Sequence, residues 1–327
     1  DKGVAVLNKC SLRGNPKWGT VLQNVGFRVV SLANNHMMDF GEEGLKQTLK
    51  VLKESNVVAV GAGMNAKEAL SPQVIDIKGK KVGIMARSSV EVTSHCYAED
   101  DKAGAAYFDE EETNNTINRL KKEVDFVILI MHWGLEEYHS PTPKQRIQAH
   151  TLIDSGADTI VGSHAHVFQG FETVHCRPVL YSLANFLADD FSWEADYDGK
   201  GTKEHYAVLS EKHRNGVMVS ISLTSTDVQI RDYIYTTVNK SGTIDIKTSK
   251  RNDVLRYSWG LKFPCYSAFW KLYSIKQELF LRIFKKSLWK KIIFKLHRLR
   301  IKHFIDLFAQ IKRSLRITSG KSTNPYD

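Results

Sequence analysis

Three short apolar runs, FRVVSLA (27–33), DFVILIM (125–131) and DTIVGS (158–163), punctuate the first half of the chain. Each is bounded by polar residues and has the length of a buried strand. The first two lead through a polar loop into a helical pattern. In DFGEEGLKQTLKVLKESN the leucines at 45, 49 and 52 recur three or four positions apart, which predicts a helix with one buried face. Val57–Val60 predicts a short strand. Residues 73–77 and 81–86 flank Gly79-Lys80 and predict a hairpin. Residues 109–123 predict a helix with a charged outer face. Residues 143–155 predict another, with Pro143 in its first turn and Gly156 as its stop. PVLYSL (178–183) is a further strand. This alternation is the signature of βαβ units and an α/β fold.

Beyond residue 187 the pattern changes. Residues 188–214 are polar and without period, which predicts a long surface loop. Residues 216–223 and 227–237 predict two antiparallel strands around Thr224-Ser225-Thr226. From about Phe269 to Leu315, apolar residues such as Leu272, Leu279, Ile283, Leu288, Ile292, Leu296 and Leu299 recur at helical spacing among lysines and arginines. That predicts a basic amphipathic helix or helix pair. The expected organisation is a main domain over 1–240, a linker over 241–265, a basic helical region over 266–316 and a disordered tail over 317–327.

Charge sharpens that division. The formal net charge is +10, yet residues 271–327 hold 15 Lys/Arg against 3 Asp/Glu, a local +12 that leaves the body near −2. An anionic partner is therefore expected at the tail rather than at the body. Cys10, Cys96, Cys176 and Cys265 stand far apart with no CxxC pair, which argues against a zinc ribbon or a dense disulfide scaffold. No apolar run reaches the roughly 20 residues that span a bilayer. The chain opens on Asp1 and enters a strand–helix pattern almost at once, so an N-terminal segment is expected to be missing.

The candidate chemistry sits at the ends of the strands. Asn34-Asn35-His36 follows the first run, His132 the second, and His164-Ala165-His166 the third. In open α/β sheets the loops leaving the carboxyl ends of strands converge on one crevice. Neutral imidazole is the commonest protein metal ligand, and a carboxamide oxygen also binds divalent ions. A structural role remains open for each residue singly: Asn34 and Asn35 as turn formers, the histidines as carbonyl-bonded groups. His95, His139, His150, His175, His205 and His213 are expected to be structural, and His297 and His303 to be solvated. Trp133 and Tyr138 can stack on a substrate or pack in the core. Glu136 and Glu137 can form an acid/base pair or a solvated one. No dinucleotide fingerprint, phosphate loop, Ser-His-Asp order or CxxC redox site is visible.

SLANNHMMDFGEEGL, GAGMNAKEALSP, MHWGLEEYHSPTPKQRIQAHTLIDSGADTIVGSHAHVFQGFE and VLYSLANF, in that order, resemble the bacterial capsule-synthesis (CapA, poly-gamma-glutamate biosynthesis) family from about Gly19 to Leu187. The resemblance implies a fold similar to the calcineurin-like metallophosphoesterases: a two-sheet α/β sandwich with two divalent metal ions at the strand ends. It implies Asn35, His132, His164 and His166 as metal ligands, and His36 and Glu136 as catalytic groups. It implies Asp39 and Asn185 as residues that orient ligands or substrate; Asn34 and Trp133 are orienting or substrate-contacting candidates from their place beside the strand ends. The family has Gly before its last Asn, where this chain has Ala184. The Gly-Asp strand end and Asn-x-Glu stretch of the family are not found before Asn34, so either N-terminal strands are missing or the site is degenerate, and half of such a site is expected from the residues present.

Three functions compete on this footing. The first is capsule or exopolymer biosynthesis with a metal-dependent, hydrolase-like site, joined to the capsule machinery or its anionic exopolymer. The second is a non-catalytic accessory that binds an anionic polymer at a membrane surface. The third is a general metallophosphoesterase. The basic region over 267–316 fits an anionic membrane surface or simple packing on the body. Nucleic acid ranks third, because no nucleic-acid module is present, and a polyanionic capsule polymer is a fourth possible ligand if the resemblance holds. The expected location is membrane-associated or extracytoplasmic.

Overall fold

The computed structural model describes residues 3–6, 9–90, 96–195, 201–224, 227–239, 241–247, 258 and 260–284. The strands in chain order are β1 (Val29–Ser31), β2 (Val58–Val60), β3 (Ala62–Gly63), β4 (Gln73–Ile77), β5 (Lys80–Ser88), β6 (Gly104–Ala105), β7 (Phe126–His132), β8 (Thr159–Ser163), β9 (Phe168–Val174) and β10 (Arg177–Leu183). They are followed by β11 (Phe191–Ala195), β12 (Lys203–Ala207), β13 (Asn215–Leu223), β14 (Val228–Val238) and β15 (Ile244–Lys247). The helices are α1 (Trp18–Asn24), α2 (Gly41–Glu54), α3 (Ala66–Leu70), α4 (Glu110–Leu120), α5 (Pro143–Asp154) and α6 (Tyr266–Phe284).

Six strands form the main sheet in the order β4-β5-β7-β8-β10-β9. Its centre is parallel: β5 pairs with β7, β7 with β8 and β8 with β10. Both edges are antiparallel, because β4 reaches β5, and β9 reaches β10, through tight turns too short for a crossover. Side chains alternate along a strand, so Phe126, Ile128, Ile130 and His132 share one face of β7. On that face the apolar residues pack with Val82, Ile84 and Ala86 of β5, with Val228 of β14 and with Ile221 and Leu223 of β13. The sheet β13-β14-β15 thus covers the main sheet, and a second cluster joins Phe168 and Phe171 of β9 to Val217 of β13 and Tyr235 of β14. The opposite face receives α4, whose Leu120 fills the space left by the missing side chain of Gly83. α2 buries Leu45 and Leu52 with Leu32 and Val57 in a separate apolar cluster.

The expected strands and helices of the first 183 residues form as read. The structure adds elements that the pattern did not show. Residues 188–214, expected to be loop, carry the hairpin β11–β12 and a 3-10 turn at Glu211–Arg214. Asp189 and Asp190 hold this segment through ion pairs to Arg214. β15 lies past the expected boundary at 240 and pairs with β14, so the body extends into the expected linker. By contacts the chain divides into one unit of Asp1–Pro141 with Gln145–Lys262 and another of Thr142–Lys144 with Phe263–Asp327. In the second unit Phe263, Phe269 and Tyr273 stack in series along the start of α6. Most of the basic pattern, residues 285–327, lies outside the described residues, as do His95, His297 and His303. No described helix is long and apolar enough to cross a membrane.

Candidate metal centre

Three central strands end in step. Ser88 of β5 lies opposite His132 of β7, and His132 lies opposite Ser163 of β8. The chain leaving β8 turns at once: His164 (φ 92°) and His166 (φ 55°) both adopt left-handed backbone around buried Ala165. That conformation is uncommon outside glycine and costs free energy. It aims two successive imidazoles toward the same place. The His132 and His164 ring centroids are 4.8 Å apart, and those of His164 and His166 6.0 Å. Gly162 makes the close approach of β8 to β10 tolerable, since a Cβ there would sit 1.9 Å from the Tyr181 carbonyl oxygen.

Asn35, 97 residues before His132, enters from the loop after β1. Its Oδ1 lies 3.0 Å from His132 Nε2. Two neighbouring ligands on one ion, each at about 2.1 Å, are separated by roughly that distance. Ser163 Oγ lies 3.0 Å from the other His132 nitrogen. His166 Nδ1 is 2.9 Å from Asn185 Oδ1, and Asn185 Nδ2 donates to the His213 carbonyl at 2.8 Å. With Nδ1 engaged, Nε2 is the His166 nitrogen left for a ligand, and a carboxamide on the other nitrogen fixes the ring. Ala184 holds the left-handed φ of 62° that favours glycine, and Asn185 still reaches His166.

Glu136, His164 and His166 bring one ligand atom each to within 4.8 Å of one another. His164 Nδ1 is buried and has no hydrogen-bond partner. A buried, unpartnered polar nitrogen is costly unless a ligand satisfies it. Burial, reinforced by the neighbouring imidazoles, lowers the pKa of His132 to about 2 and that of His164 to about 3. Both rings are therefore neutral near pH 7, the protonation state that metal ligation requires. A borderline divalent ion fits this donor set of imidazole, carboxylate and carboxamide.

The structure sorts the remaining predicted residues. His36 Nδ1 lies 2.7 Å from Asp39 Oδ2, and Asn34 Oδ1 accepts from the His36 backbone N–H at 2.8 Å. Asp39 is therefore an internal anchor of His36, and Asn34 shapes the turn that presents it. Trp133 does not line the site. It is fully buried, stacks on Tyr181 and donates its indole N–H to the Tyr181 carbonyl at 3.0 Å. The alternation of β7 turns Trp133 to the face opposite His132, so its expected substrate contact is corrected to a core role. Glu136 is exposed beside the imidazoles. Glu137 is not its acid/base partner. Hydrogen bonds from His213 and Lys212 hold its carboxyl at a pKa of about 2. His139, expected to be structural, sets Nδ1 3.0 Å from the Phe168 carbonyl oxygen.

Sequence reading missed Lys9 and Lys212, and it named His213 only as a structural histidine. Lys9 Nζ donates to Asp39 Oδ1 and to the Asn35 carbonyl. These side chains come from segments without periodicity, and only the folded chain brings them near the site.

The bacterial capsule synthesis protein model PGA_cap matches residues 1–190. The capsule biosynthesis protein CapA of Bacillus anthracis is 32% identical over 188 residues, covering 56% of this chain and 45% of that protein. The PGA biosynthesis protein CapA of Bacillus subtilis (strain 168) is 33% identical over 197 residues, covering 59% and 51%. A Mycobacterium tuberculosis protein described as a probable polyglutamine synthesis accessory protein is 28% identical over 188 residues, covering 54% and 48%. The chain spans about half the length of the curated relatives it matches. Among solved structures, a putative 5'-nucleotidase from Staphylococcus aureus overlaps with a TM-score of 0.46 at 13% identity, covering 76% of this chain and 45% of that one. The NAD nucleotidase of Haemophilus influenzae overlaps with a TM-score of 0.40 at 15% identity, covering 80% and 47%. With more than half of its residues matched by the family model, this chain belongs to the bacterial capsule synthesis protein family.

Proposed function

We propose that this chain serves the biosynthesis of a capsule or exopolymer of the poly-gamma-glutamate type, through a hydrolase-like site that binds a divalent metal. The observation that carries the reading is the convergence of His132, His164, His166 and Asn35 at the strand ends, with His164 Nδ1 buried and unpartnered. His164, His166 and Glu136 would hold the ion, and His132 with Asn35 would supply the adjoining ligand pair. A bound divalent ion supplies Lewis acidity and an activated water. The protein's own contribution is orientation and proton transfer. Asn185 fixes the His166 ring, and Asp39 fixes His36 with its second nitrogen free to exchange a proton with a reacting oxygen. The number of ions, set at two by the family resemblance, belongs to this proposal.

Metal analysis tests it. Full-length protein equilibrated with Mn²⁺ or Zn²⁺ is expected to retain metal after desalting, and the His164→Ala/His166→Ala variant is expected to lose it. Equal retention in both would reject the ligand assignment.

A second reading, an accessory that binds an anionic polymer or membrane surface without catalysis, draws on the +12 charge of residues 271–327. It also draws on the description of the mycobacterial relative as an accessory protein. Flotation with anionic vesicles is its test. Removal of residues 267–327 is expected to abolish flotation, and equal flotation with and without them would reject the tether. A membrane-associated or extracytoplasmic location is part of the same proposal.

A further inference from the structure

Lys9 and Asp39 form an ion pair in which both side chains are almost wholly buried, at 6% and 1% exposure. Such a pair is weak evidence for stability, because the desolvation of two charges offsets most of their attraction. Its geometry offers a different explanation. The Lys9 ammonium donates to Asp39 Oδ1 and also to the backbone carbonyl of Asn35. Asp39 Oδ2 accepts the Leu12 N–H at 2.7 Å and faces His36 Nδ1 at 2.7 Å. One ammonium therefore grips both ends of the turn that carries Asn35 and His36.

We infer that Lys9 is a positioning residue of the proposed site: by holding Asp39 Oδ1 and the Asn35 carbonyl, it keeps Asp39 Oδ2 against His36 Nδ1, the contact that puts the ring proton on Nδ1. The inference rests on the functional reading given above for what His36 then does, although the lock itself does not depend on it. An ionised carboxylate has no proton to give, so the short contact requires His36 Nδ1 to be the donor. In the neutral ring, Nε2 is then the unprotonated nitrogen. Lys9 Nζ takes Oδ1 and leaves Oδ2 to Leu12 N–H and His36; the oxygens of the carboxylate are equivalent, so an amide at position 39 is what makes this hold visible. Leu12 N–H reinforces that hold from the same segment, 27 residues before Asp39. Asn35, next to His36 in the chain, sets Oδ1 3.0 Å from His132 Nε2, so the turn that Lys9 holds belongs to the same cluster.

The test reads the tautomer directly, by ¹⁵N chemical shifts of the His36 ring nitrogens in metal-free full-length protein at pH 8. Wild-type protein is expected to show Nδ1–H, and Nε2–H there would overturn the inference without any variant. In Asp39→Asn the ammonium should keep the amide oxygen, because a charge-assisted bond outweighs the neutral one to Leu12 N–H. The amide NH₂ then faces His36 Nδ1, and the majority tautomer is expected to switch to Nε2–H. Adding Lys9→Met to that variant frees the amide to rotate, and Nδ1–H is expected to return. Retention of Nδ1–H in Asp39→Asn, or the same tautomer in the single and double variants, would show that Lys9 does not set it. A merely structural lysine would not produce switch and reversal. Since no metal or turnover is involved, failure here is distinct from failure of the hydrolase-like reading, which the metal analysis decides.

Discussion

Two of the histidine-containing polar clusters among the described residues of the body differ in one respect. Around Glu172 every charge is answered. Its carboxylate takes Arg146 Nε at 3.1 Å, His150 Nε2 at 3.1 Å, a second Arg146 nitrogen and the Tyr181 hydroxyl. Burial pushes the Glu172 pKa up, but these donors more than offset it, and the group ends below the ordinary glutamate range. Around His164 the balance is reversed. The His164 ring is buried, holds no charge and leaves Nδ1 without a partner. Side-chain type alone does not separate the two clusters, since both contain histidine and glutamate. The saturated cluster joins α5, β9 and β10. The unsaturated one has free coordination capacity, and that difference is what points to a ligand.

The comparison can be broken at several points. The largest effect is expected from His164→Ala/His166→Ala, where affinity for Mn²⁺ or Zn²⁺ should fall by about 100-fold or more, measured by calorimetry, with no loss of thermal stability. Glu172→Ala should do the opposite. It leaves Arg146 without its carboxylate and should cost about 3 kcal/mol in denaturant unfolding, with metal affinity unchanged. If Glu172→Ala impaired metal binding as much as the double variant, the two clusters would be one functional unit.

Smaller effects sharpen the contrast. Asn185→Ala should weaken metal affinity by about tenfold, the scale on which outer partners tune a ligand. The pH dependence follows from the lowered pKa values of about 2 for His132 and about 3 for His164. Below about pH 6.5 the unfolded chain binds protons that the folded rings refuse. Stability is therefore fully present above that pH and falls as pH falls toward the folded values, by up to about 1.4 kcal/mol per ring for each pH unit. Unfolding midpoints at pH 7.5 and 5.5 check this, and His164→Ala should flatten the slope. Trp133→Phe loses the indole bond to Tyr181 and leaves a void in the core, costing about 2–3 kcal/mol and leaving metal binding intact. A clear loss of metal binding in Trp133→Phe would return that residue to the site.

Much of this was legible in the residues. The three apolar runs are β1, β7 and β8, and the polar residues that follow them carry the imidazoles and the carboxamide. β9 was hidden because Gln169 and Gly170 interrupt its apolar pattern. Gln169 is fully buried and donates to the Tyr138 carbonyl, a partner 31 residues away. Burial of a polar side chain by a distant acceptor leaves no local periodicity to read. Lys9 was hidden for the same reason, since its carboxylate lies 30 residues along the chain. Trp133 was left between a substrate contact and core packing because it adjoins His132 in sequence; the one-residue step past the end of β7 reverses the face and buries it in the core. The basic pattern of 285–327 falls outside the described residues.

The matched strand ends have a further consequence. Ser88, His132 and Ser163 form a row because the apolar side chains upstream of each lock the pairing of β5, β7 and β8. A slip of a single residue in β7 would rotate His132 into the helical layer and bring its neighbour to the crevice. The accuracy with which the imidazole is aimed is thus inherited from aliphatic packing two turns of the pleat away. Substitutions that only loosen Ile128 or Ile130 should be felt first as poor coordination, well before the protein unfolds.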